Sequence, residues 1–137
     1  MIRAATAADI EAITRVAFAE FERNALSTPT YEQAETLVRD TVKGGFVIVS
    51  ATASQIRGSL GLRRGTWDST GEAFLSERWL HASGAHCFKE LIEGGRAIAA
   101  RLNLPLYVGV TGKERVEAMT RLYRMAGGVQ VGASFRF

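Results

Sequence analysis

The spacing of apolar residues predicts an α/β (α+β) chain, built on a mixed, mostly antiparallel central sheet with one parallel βαβ crossover and helices on both faces. Three observations carry this. Apolar residues recur at a helical period of about 3.6 in two stretches before residue 45, and the period changes to about two just after it. A long one-faced helical pattern is then followed by LPLYVGV at 104–110, a nearly all-apolar run of the kind buried on both faces of a sheet. Finally, 137 residues, 47% of them hydrophobic and only two of them proline, suit one compact core. A chain near this size buries roughly 68% of its extended-state surface, so residues 1–137 are expected to form a single domain.

The chain opens with MIRAA as a short strand, and Thr6 with Asp9 three residues later has the spacing of a capping box, in which each side chain satisfies an orphan amide. The helix that starts there carries Ile10, Ile13, Ala17 and Phe21 on one stripe. Thr30 with Gln33 caps a second helix bearing Tyr31, Ala34, Leu37 and Val38, which stops at Gly44 and Gly45. FVIV from Phe46 is a buried strand; Ile56, Leu60 and Leu62 then alternate with polar residues, which makes a hairpin. EAFLSERWLH (72–81) has strand length, and a helix from about Ser83 to Leu102 places Phe88, Leu91, Ile92, Ile98, Ala99 and Leu102 on one face. The strand in LPLYVGV completes a parallel βαβ unit. A last helix is expected from about Glu114 to Ala126, and VQVGASFRF (129–137) alternates as a closing strand. An unpaired edge on that strand could join two copies of the chain as a homodimer.

Composition excludes several function classes. Cys87 is the only cysteine, so no internal disulfide can form and a cysteine-based zinc site has no ligand set. His81 and His86, five apart, lack the carboxylates a metal site would add, and no metal is expected. The net charge of +3 comes from scattered basic residues. Arg57, Arg63 and Arg64 on the hairpin are the one local concentration, and nucleic acid is not an expected partner. No apolar run approaches the ~20 residues of a membrane span and no signal-peptide stretch follows Met1, so the expected location is cytoplasmic. GlyLysGlu at 112–114 lacks the flanking glycine and the Ser or Thr of a phosphate loop.

The order of these elements, the opening MIRAATAADIEAI and the ending GVTGKERVEAMTRLYRMAGGVQVG together resemble the GNAT superfamily of acetyl-coenzyme A-dependent N-acyltransferases. The nearest flavour is that of short GNAT-like proteins of bacteriophages, which would place the chain in a host cytoplasm or a virion. The resemblance implies that acetyl-coenzyme A enters between two splayed parallel strands and rests its pyrophosphate on the amides opening the crossover helix. Matched back from Leu91 and Ile92, SGAHCF (83–88) occupies that position in degenerate form. Ser83 stands for the family's Arg or Gln, Gly84 is kept, and His86 and Phe88 replace residues expected to be small. Phe88 must either turn into the core or fill the phosphate site. The amides implied as the cofactor site run from Trp79 and Leu80 through Ser83, Gly84, Ala85, His86 and Cys87.

For catalysis the resemblance makes Tyr123 the general acid that protonates the departing thiolate; read as a bare sequence, Tyr123 could equally be a core aromatic sharing a face with Val116 and Met119. A base for the acceptor amine is sought on the strand before the crossover, where Glu72, Glu77 and His81 stand, with Glu77 and His81 on one face if alternation holds. Two functions stay open. One is acetyl transfer to an amine; the other is a catalytically inactive GNAT-fold protein that binds a protein partner or serves in assembly, which the altered SGAHCF segment favours.

Overall fold

The computed structural model describes residues 1–110, 116–133 and 135–137. Strand β1 (Ile2–Ala4) leads through a 3-10 turn at Ala7–Asp9 into helix α1 (Ile10–Asn24), followed by α2 (Tyr31–Gly44). Next come β2 (Phe46–Ala51), β3 (Ile56–Thr66) and β4 (Ala73–Ala82), then α3 (Ala85–Leu102), the short β5 (Leu106–Tyr107) and α4 (Val116–Met125). The sheet order is β1-β2-β3-β4-β5, antiparallel throughout except for the parallel β4–β5 pair. The mixed sheet and its βαβ crossover are therefore as the apolar periods predict.

The first two helical segments start with a local chemical cause. The Asp9 carboxylate accepts from the Thr6 amide at 2.8 Å and is gripped by the Arg3 guanidinium at 2.7 and 2.9 Å. That grip, ahead of the Thr6 bonds, holds Asp9 far below the usual carboxylate range. At α2 the capping box is reciprocal: Thr30 N–H donates to Gln33 Oε1 at 2.9 Å and Gln33 N–H donates to Thr30 Oγ1 at 3.1 Å.

Alternation along β2 explains why helices lie on both faces. Val47, Val49 and Ala51 pack with Ile13 of α1 and Val38 of α2, whereas Ile48 on the opposite side packs with Leu60, Leu62, Leu75 and the α3 residues Leu91 and Ile98. Cys87 is fully buried in this second layer, and a Cβ at Gly58 would lie 2.6 Å from its Sγ. On β3, Gly61 leaves room for a ring: a Cβ there would meet Trp79 at 2.4 Å. Trp79 closes the α1/α2 layer and donates its indole N–H to Ser59 Oγ at 3.0 Å.

Two features of β4 set the geometry at the parallel edge of the sheet. Gly61 opposes Trp79 and Leu62 opposes Glu77, so Arg78 is an extra residue, a β-bulge that resets the alternation of the strand. The pairing of β4 with β5 is confined to Leu75↔Leu106 and Ser76↔Tyr107. At that end Tyr107 meets Trp67 and Phe74 edge-on, with ring centroids 5.5 and 5.8 Å apart, and this aromatic cluster pins the strands together.

The closing strand is a correction. Among the described residues after Gly128 none is in a strand, and Val129, Val131, Phe135 and Phe137 are exposed. Alternation supplies one apolar face, but a strand also needs a paired neighbour, and here β5 is only two residues long. Ser134 of that segment, the expected helix start at Glu114 and the GlyLysGlu segment lie outside the described residues. Among the described residues no helix is long and apolar enough to cross a membrane.

Candidate active site

The pairing of β4 with β5 stops at Ser76 and Tyr107, where β5 itself ends, while β4 runs on to Ala82, and a cavity of about 750 Å³ lies beside that continuation. Its walls come from both layers: α1 and the loop after it, β4 from Glu77 to Ala82, the start of α3, and Met119, Leu122 and Tyr123 of α4.

The mouth of the crossover helix lies on this cavity. Gly84 is the residue before α3, with φ +96 and ψ 170, a conformation essentially confined to glycine. A Cβ at Gly84 would meet nothing within 4 Å, so the space in front of the helix is open. The first amide to close a backbone bond at the helix start is that of Phe88, donating to the Gly84 carbonyl at 3.1 Å, and the amides of Ala85, His86 and Cys87 precede it. No acidic side chain lies in this first turn. Aligned amides with a positive dipole end and no competing carboxylate favour an anion.

The Phe88 ring turns inward. It is 5% exposed and lies 5.3 Å from the ring of Tyr123, in an apolar cluster with Ile92, Leu80, Ala82, Val108 and Val110. Of the two outcomes expected for this ring, the core is the one realised. The reason is helical phase: Phe88 and Ile92 are one turn apart and share the face α3 turns toward α4.

Inside the cavity Tyr123 donates its hydroxyl to Glu77 Oε2 at 2.9 Å. Burial pushes the Glu77 carboxyl up to about 7, while the hydrogen bond from Tyr123 pulls the other way. Tyr123 is pushed far above its usual range, by burial first and then by the charge of Glu77 and the bond to it. His81 is placed differently. The bulge at Arg78 breaks the alternation that would have set it on the face of Glu77. Burial holds His81 below its usual pKa, and of the α1 charges that act on it Glu20 raises and Arg23 lowers that value.

No family model and no curated protein sequence matches this chain. Solved structures do. A probable acetyltransferase, 11% identical, superposes with a TM-score of 0.76 over 100% of this chain and 95% of its own. An aminoglycoside acetyltransferase from an uncultured soil metagenomic sample, 16% identical, reaches 0.71 over 100% and 94%. A ribosomal-protein-alanine N-acetyltransferase from Brucella melitensis, also 16% identical, reaches 0.70 over 100% and 98%. The chain has the GNAT fold. At these identities the likeness establishes the architecture, and the site has to be argued from its own residues.

Within this GNAT fold the sequence-derived candidates divide. Glu77 and Tyr123, 46 residues apart, are brought into direct contact. His81 lines the same cavity on the α1 side. Leu80 packs inward with Phe88, and the Trp79 ring belongs to the α1/α2 layer, so side chains of neither present polar atoms to a ligand there. Ser83 and Ala85 are exposed beside Gly84, and the Ser83 amide is already donated to the Arg57 carbonyl at 3.0 Å. His86 projects to solvent with Nε2 3.5 Å from Glu90 Oε1. Only the amide of Cys87 can serve, because its side chain is in the core. Glu72 stands outside the strand and outside the cavity lining. Among the described residues no group of three or more His, Cys, Asp or Glu is placed to hold a metal.

Sequence reasoning missed the α1 contribution. Glu20 and Arg23 form an ion pair one helical turn apart and line the cavity with Phe21 and Leu26. The i,i+3 spacing of that pair reads as a solvated helix face, and nothing local marks it as facing a cavity.

Proposed function

We propose that the protein transfers an acetyl group from acetyl-coenzyme A to an amine. The single observation that carries this reading is the cavity along β4 beyond the end of its pairing with β5. It joins, in one cavity, the opening of the crossover helix at Gly84 and Ala85 and the hydrogen-bonded Glu77–Tyr123 pair. The volume is in the range of roughly 300–1,000 Å³ typical of small-ligand sites.

The residues present fit the coenzyme. Gly84 leaves its Cβ position empty, so a diphosphate can approach the amides of Ala85, His86 and Cys87, and Phe88 leaves that approach by joining the core. The altered SGAHCF segment therefore keeps the backbone part of an anion site while losing the side-chain part. Acetyl-coenzyme A supplies the acetyl group as an activated thioester. Glu77 accepts a proton from the acceptor amine as the nitrogen–carbon bond forms, and Tyr123 gives one to sulfur as the carbon–sulfur bond breaks. Glu77 is preferred to His81 as base because it alone of the two contacts Tyr123. His81, Glu20 and Arg23 line the α1 side and are assigned to the acceptor.

Isothermal titration of the full chain with acetyl-coenzyme A tests this, with saturable heat expected. Thiol release in the presence of a panel of primary amines then reports transfer. A flat titration overturns the proposal and leaves a GNAT-fold binding or assembly protein as the reading.

A further inference from the structure

The hydrogen bond between the two catalytic candidates raises a conflict. A phenol has one proton to donate, and that of Tyr123 is already given to Glu77. So long as Glu77 is a carboxylate, the stronger acceptor holds that proton, and Tyr123 has none for a leaving group. A phenolate left behind would also be costly, because the surroundings are apolar: Phe88 and Ile92 from α3, Met119 and Leu122 from α4, Leu80 and Ala82 from β4. None of these titrates. The charged groups that line the same cavity are Arg78 and His81 on β4 and Glu20 and Arg23 on α1, and the last two act on His81.

We infer that Glu77 and Tyr123 form one proton-relay unit, in which protonation of Glu77 reverses the hydrogen bond between them and frees the Tyr123 proton for the leaving sulfur. This rests on the acetyl-transfer reading. The protons balance. Glu77 takes the amine proton as the nitrogen–carbon bond forms, and its new O–H turns to donate to Tyr123 Oη. Tyr123 passes its own proton to sulfur as the carbon–sulfur electron pair moves there. The Glu77 proton then crosses to the Tyr123 oxygen, restoring carboxylate and phenol. One proton has gone from nitrogen to sulfur, and the pair ends as it began. The relay thereby orders the chemistry: the acid is armed only after the base has acted.

The test uses the coenzyme-free full chain, so it is separable from the titration that tests acetyl transfer. Carbon-13 resonances of the Glu77 carboxyl and the Tyr123 ring carbon bearing oxygen are assigned in the wild type by through-bond correlation to the backbone and followed between pH 5 and 9. The Tyr123 signal is expected to move with the same midpoint as Glu77. In E77Q, which has no carboxyl to titrate at this position, the Tyr123 signal should no longer move with that midpoint. In Y123F the Glu77 midpoint should rise, because the bond that stabilises its charge is gone. A Tyr123 signal indifferent to the Glu77 titration in the wild type, or one that keeps the same midpoint in E77Q, overturns the relay. The wild-type titration decides by itself if a variant fails to fold. Absence of coenzyme binding with a reversing hydrogen bond would sink acetyl transfer while leaving the switch standing.

Discussion

Replacing Phe88 by alanine separates a core ring from an obstructing one. The side chain is 5% exposed and packs on Tyr123, Ile92 and Leu80. A buried phenylalanine removes about 150–200 Å² from water, which at ~25 cal/mol/Å² is about 4–5 kcal/mol. Measured Phe-to-Ala losses run about 3–5 kcal/mol. One side of Phe88 borders a cavity rather than solid packing, so fewer contacts are lost there, and a loss near 3 kcal/mol is expected, the low end of that ~3–5 range. For a chain of this length that corresponds to a fall in Tm of about 10 °C. Urea denaturation followed by circular dichroism gives the free energy, and calorimetry with acetyl-coenzyme A at a temperature where the variant is folded gives affinity. Loss of stability without gain of affinity is the expected pair of results. A stability change below about 1 kcal/mol, accompanied by tighter coenzyme binding, would show that the ring blocks the site and refute the inward placement.

Glu77 makes stability depend on pH. Its folded pKa, about 7, exceeds the ordinary 4.5, so the folded state binds the extra proton and its stabilising effect is complete below 4.5 and disappears as pH rises through 7. The wild type should lose up to about 3 kcal/mol over that window and E77Q should not, measured by denaturation at pH 4.5 and 8. Acetyl transfer should rise through the same pH, since the base must be ionised, and E77Q should lower it by about 10²–10⁴-fold. At Gly84, alanine must adopt a glycine-only conformation and fills the open approach to the amides; a stability cost of about 1–3 kcal/mol with coenzyme affinity at least tenfold weaker by calorimetry is expected. Ending the chain after Gly128 removes residues that are largely exposed, Phe135 at 85% among them. Stability should change by less than about 1 kcal/mol, and a larger drop in a denaturation curve would reveal that the tail pairs with a strand edge, its own or that of a second copy.

The parts of this molecule that neighbouring residues control were legible in its sequence. Thr30 and Gln33 announce α2 because their bonds span three residues, and the one-faced run from Leu91 to Ile98 announces α3 because helical phase is local. The resemblance of the ending points to Tyr123, and the strand before the crossover contains Glu77. Their contact was not legible, since it depends on how α4 settles against β4 across 46 residues. Nor was the bulge at Arg78, which places Glu77 and His81 apart, because a single extra residue is defined only by what its partner strand offers opposite. The fate of Phe88 and of the tail shows the same division. An apolar side chain or an alternating segment declares its need for burial or pairing in one dimension, but the neighbour that satisfies it exists only in three. For Phe88 the fold supplied Tyr123, and the described residues after Gly128 have no strand partner.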